Sequence, residues 1–77
     1  MNAILHAALQ TVLREATGGC AEYAKTYARA ALLQNMAEEE LRVQCLYVLT
    51  NLSHWRGETA RAVKATLKEA GHARERV

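Results

Sequence analysis

The chain has no proline, no phenylalanine and no aspartate, and only four aromatic residues, Tyr23, Tyr27, Tyr47 and Trp55. Without proline, nothing forbids a helix interior, and β-branched residues are few and scattered. The two cysteines, Cys20 and Cys45, fit neither a disulfide framework nor a zinc-binding spacing. No apolar run approaches the roughly 18 residues of a membrane span, and Met1 to Leu9 lacks the basic start of a secretory leader. At 77 residues there is no room for a two-domain enzyme, a barrel or a dinucleotide-binding sheet. These absences predict one domain in the cytoplasm, with reduced thiols and no membrane partner.

What is present favours helix. The chain holds 15 Ala and 10 Leu, and its hydrophobic fraction of 51% is too high for a disordered tail. Much of that fraction is alanine, which buries little area, and a chain this short is near the lower limit for a self-sufficient core. Oligomerisation is the natural supplement. The net charge of +2 is not by itself that of a polyanion binder, but it is unevenly spread. Glu38, Glu39 and Glu40 face only Arg42 in the middle of the chain, whereas Arg56, Arg61, Lys64, Lys68, Arg74 and Arg76 outnumber three Glu after residue 53.

The periodicity predicts four helices. The first runs from Asn2, a suitable N-cap, to Thr17, with Ile4, Leu5, Ala8, Leu9, Val12, Leu13 and Ala16 on one face. Gly18-Gly19 stops it. The second, from Cys20 to Gln34, would bury Cys20, Tyr23, Ala24, Tyr27, Ala28 and Ala31. Asn35 suits a left-handed helix end and, three residues before Glu38, a capping box. The third helix, Met36 to His54, has one stripe of Leu41, Cys45, Val48, Leu49, Leu52 and Trp55. A second patch holds Val43 and Tyr47, with Leu46 between. A helix apolar on two faces predicts a central element that also meets a second subunit, so Val43 and Tyr47 are the expected dimer interface. Gly57 turns the chain into a fourth helix, Glu58 to Ala70, with Ala60, Val63, Leu67 and Ala70 inward and Gly71 as its stop. Residues 1–71 form the expected domain and 72–77 a frayed, charged tail. The expected fold is an all-α bundle of four short helices around a central third helix, homodimeric.

No arrangement of residues supplies convergent acid, base and nucleophile groups, so no catalytic residue, cofactor or metal is expected. Cys20 at a helix start has the setting of an activated thiol, but sequence orders no base beside it. Cys45 belongs to the apolar stripe. The five His and Cys residues show no metal-ligand pairing, and Gly18-Gly19 lacks the lysine and hydroxyl of a phosphate loop. The Glu38–Glu40 run complements a helix N-terminus. The turn between the first two helices invites a helix-turn-helix reading, but the second helix lacks Asn or Gln placed for base edges.

The segment Ser53-His54-Trp55-Arg56-Gly57 is the most distinctive. An aromatic beside a cation at a turn suits an interface anchor, while the phase of Trp55 also suits closure of the core. Arg61, Lys64 and Lys68 lie within about 60° on one edge of the fourth helix, a basic strip that fits either phosphates or a solvated face.

The stretch Glu39-Glu40-Leu41-Arg42-Val43-Gln44, Leu46-Tyr47-Val48-Leu49, Asn51-Leu52, Trp55-Arg56-Gly57, Ala60, Val63-Lys64 and Leu67-Lys68 resembles short proteins encoded in phage and prophage genomes. The resemblance covers about 30 residues and brings no functional residue with it. It implies a small accessory protein, in the host cytoplasm, of the kind that binds and blocks a host protein. The resulting expectation is a non-enzymatic interaction module, an inhibitor or adaptor acting by surface occlusion on a host or phage protein. Trp55 and Arg56 would anchor the partner, and Arg61, Lys64 and Lys68 would engage its acidic groups. The alternative is a small nucleic-acid-binding protein using the same strip.

Overall fold

Asn2 begins the first helix by the means its side chain offers: its Oδ1 accepts a hydrogen bond from the Leu5 amide at 2.8 Å. The computed structural model describes residues 1–72 and places them in four helices: α1 (Ala3–Glu15), α2 (Ala21–Leu33), α3 (Glu38–Thr50) and α4 (Glu58–Gly71). No strand occurs among the described residues. Residues 73–77, on which most of the expected frayed tail falls together with Arg74 and Arg76, lie outside them.

The helices close a ring. Helix α1 packs on α2 and α4, and α3 packs on the same two. This corrects the expectation of a central third helix, because α3 has two flanking neighbours, as α1 does. Its second apolar patch is partly used by those neighbours: Leu46 sits against Gly71 of α4, and the Tyr47 ring lies 5.4 Å from that of Tyr27 on α2.

The ring encloses one apolar core. Helix α1 contributes Leu5, Ala8, Leu9 and Val12, α4 contributes Ala60, Val63 and Leu67, and α3 contributes Cys45 and Val48. All four buried residues of α2 are alanines, Ala21, Ala24, Ala28 and Ala31. This helix therefore supplies close approach rather than bulk, and the larger side chains opposite fill the space. Two expected inward residues point out: Tyr23 is 66% exposed and Ile4 73%. Around the helix axis Ile4 stands about 40° from Ala8 and Tyr23 about 80° from Ala31, each at or beyond the edge of a buried stripe narrower than the apolar patterning suggests. Ile4 lines a groove between α1 and α4 instead. Cys20 is only partly buried, at the N-cap of α2.

Two boundaries also differ. Asn35 neither caps α3 nor adopts a left-handed conformation. The N-cap is Ala37, whose amide donates to Glu40 Oε1 at 3.1 Å, so half of a capping box forms two residues later than expected. Helix α3 stops at Thr50 rather than His54. Beyond it, the amides of Asn51, Leu52 and Trp55 bond to the carbonyls of Val48, Leu49 and Leu52 at 3.0–3.1 Å. These tighter i to i−3 turns carry Leu52 and Trp55 into the core after the helix has ended.

Polar ties join the ring at its seams. Gln44 Nε2 donates to the Tyr27 carbonyl at 2.9 Å, linking α3 to α2. Arg42 donates to the carbonyl of Gly71 at 3.2 Å and pairs with Glu39. A cation thus lies at the negative end of α4. Gly18 has φ +111°, and a Cβ there would stand 2.8 Å from His54 Cβ, so the first turn needs glycine for conformation and space.

Gly71 is buried in α4, and a Cβ would fall on Leu46, 2.8 Å from its Cγ. Gly71→Ala should therefore destabilise the fold by about 1–3 kcal/mol through overpacking, despite alanine's better helix propensity. Adding Leu46→Ala should make the alanine at 71 favourable relative to glycine. Denaturant unfolding of the four members of this double-mutant cycle measures the sign change.

Candidate functional site

The site that sequence singled out is built by the turn after α3 and the first two turns of α4. Trp55 is 5% exposed and belongs to the core. Its expected role as a partner anchor gives way to the structural one, because the i to i−3 turns aim its indole inward. What remains at the surface is its edge, in the floor of a groove of about 300 Å³. Ala60 shares that floor, and Ser53, Arg56, Arg61 and Lys64 form the rim. Burial of Trp55 thus fixes the position of Arg56, the next residue, against the start of α4.

Arg56, Arg61 and Lys68 are exposed and Lys64 is half-buried. Among the described residues none of these four cations has a hydrogen bond or ion pair. Of the cations elsewhere, Arg14 lies 4.0 Å from Glu15, Lys25 lies 3.8 Å from Glu22 and Arg42 pairs with Glu39, while Arg29 on α2 shares the unpaired state of the strip. Arg56, Arg61 and Lys64 line one groove, and Lys68 lies beyond it on α4. Arg74 and Arg76 lie outside the described residues.

Gly57 is the N-cap of α4, and no side chain caps the first-turn amides. Their donors add positive potential at the groove end of the helix. Glu58 in the first turn opposes this in part, but it is exposed and does not line the groove.

The expected dimer residues lie on another face, on the seam between α2 and α3. Val43 is half-buried and Tyr47 is 50% exposed. Tyr23, one turn before Tyr27 on α2, extends the exposed aromatic surface there.

Two features had no local sequence signal. His54 packs against the Gly18-Gly19 turn that leads into Cys20. No hydrogen bond joins Cys20 to His54, so the contact lacks the nucleophile-to-base link that thiol catalysis requires. Arg42 reaches Gly71 across 29 positions of sequence, and its buried Nε has no partner. Among the described residues, no group of three His, Cys or Glu is placed to hold a metal ion. No helix there is long and apolar enough to cross a membrane.

Burial pushes the Cys45 thiol up from 9.0 to about 11. The folded chain keeps this thiol protonated where the unfolded chain loses the proton. The stability involved is fully present below about pH 9 and is lost as the pH rises toward 11. Unfolding free energies measured across that window should fall for the parent chain and fall less for Cys45→Ala. A thiol reagent at pH 8 should label Cys20 in the folded protein and reach Cys45 only after unfolding.

Comparison of this chain with protein-family models, with curated proteins and with solved structures finds no match in any of the three.

Proposed function

We propose that the chain is a non-enzymatic protein-interaction module that covers an acidic surface of its partner with the outer face of α4. The observation that carries this reading is the set of four cations, Arg56, Arg61, Lys64 and Lys68, without a counter-ion among the described residues. Like charges at three- and four-residue spacing on a helix repel one another. A surface that keeps them together without pairing them to Glu58, one turn before Arg61, is suited to opposite charge brought from outside. The resemblance to phage- and prophage-encoded proteins supports an inhibitor or adaptor of a host or phage protein, acting in the host cytoplasm.

A second reading places nucleic acid on the same strip. Burial of Trp55 favours it, since the turn then offers cations rather than an aromatic anchor. Anisotropy titrations of a labelled Glu-rich peptide and of labelled single- and double-stranded DNA separate the two. The protein-partner reading expects the peptide to bind and Arg61→Glu/Lys64→Glu to abolish that binding. DNA binding that is tighter than the peptide's and falls steeply with salt would replace it with the second reading. No binding of any probe at low salt would remove both.

The α2–α3 seam is proposed as the site of a homodimer, through Val43 and Tyr47. Tyr47→Glu should give monomers by light scattering while circular dichroism stays helical, because the side chain is half-exposed and its loss forfeits only one ring contact. A variant that remains dimeric places the interface elsewhere.

A further inference from the structure

We propose that the groove at the start of α4 is a binding site for a phosphate monoester carried on a side chain of the protein partner. The inference rests on the acidic-partner reading and narrows it to a particular chemical group. Three cations from two segments, Arg56 in the turn and Arg61 and Lys64 on the helix, rim one groove of about 300 Å³. None has a counter-ion among the described residues, and no carboxylate lines the groove. The rim also carries the Ser53 hydroxyl.

This donor set matches a phosphate monoester better than a carboxylate. A monoester carries close to two negative charges at neutral pH and three acceptor oxygens. Guanidinium forks pair with those oxygens two at a time, while lysine supplies a point charge. The floor of Trp55 and Ala60 is buried and apolar, which strengthens charge attraction above it relative to open water. Uncapped amides at the first turn of α4 add to the same potential. A phosphodiester has one charge to offer a groove that presents three cations. A polymer of diesters also favours a more basic molecule than one of net charge +2. A phosphorylated side chain needs only this local cluster, and Lys68, beyond the groove, is left for acidic residues flanking it.

The test uses the full chain and three probes at neutral pH and low salt: a Glu-rich peptide with one phosphoserine, the same peptide with serine, and a 5′-phosphorylated oligothymidine. Calorimetry should show the phosphopeptide binding at least about tenfold tighter than the serine peptide, the difference made by a charged hydrogen-bonded group. Arg61→Gln/Lys64→Gln should erase that difference, whereas Lys68→Gln should weaken both peptides by a similar factor. Amide resonances of residues 53–64 in the parent chain should shift with the phosphopeptide, which keeps the test independent of how the variants fold. Equal affinity for the two peptides, or shifts confined to other residues, overturns the site while leaving the acidic-partner reading in place. Failure of both peptides to bind removes both. Tighter binding of the oligothymidine assigns the groove to nucleic acid and overturns the protein-borne ligand.

Discussion

The fully buried face of α2, made of alanine alone, is the constraint on which the other features depend. A helix that buries Ala21, Ala24, Ala28 and Ala31 contributes little apolar area. The core is therefore filled from the opposite sides, by Leu5, Leu9 and Val12 on α1, Val48 and Leu52 at α3, and Leu67 on α4. Large side chains on α2 are displaced to its margins, which leaves Tyr27 on the seam with α3 and Tyr23 outside. The core also draws on residues beyond regular helix. Trp55 is inside because the chain after Thr50 tightens into i to i−3 turns, and the same turn sets Arg56 at the mouth of α4.

The surface follows from the interior. No polar or charged residue is buried in the described chain, so specificity between helices is carried at the rims by a few directed bonds. Gln44 ties α3 to α2, and Arg42 ties α3 to the end of α4. Gly71 gives Leu46 room to lie flat against α4, which lets the last turn come close enough for Arg42 to reach its carbonyl.

Helix number and most inward positions were legible because the chain is short, free of proline and periodic. The misreadings have local physical causes. Ile4 and Tyr23 are apolar by type but at or beyond the edge of the buried stripe, and periodicity does not say how wide that stripe is. Asn35 has the composition of a cap, yet backbone geometry selects Ala37, whose amide Glu40 satisfies. Two apolar patches on α3 suggested a central helix, but flanking helices in a ring cover part of the second one. At the candidate site, helical spacing alone gave the alignment of Arg61, Lys64 and Lys68. That Trp55 and Ala60 form the floor between them and Arg56 depends on the path of the turn, which spacing does not encode. The reach of Arg42 to Gly71 and the packing of His54 on Gly18 join distant positions and leave no trace in local pattern.

Arg61, Lys64 and Lys68 repel one another only while α4 is helical, because an extended chain separates them. The last helix is therefore held below the stability its core contacts would give it. Any anion that settles on the strip relieves that repulsion in the folded state alone and raises the free energy of unfolding as the logarithm of its concentration above Kd. Occupation of the strip by an anion and the closing of the ring by α4 would in this way be two readouts of one equilibrium, with thermal stability rising as the strip fills.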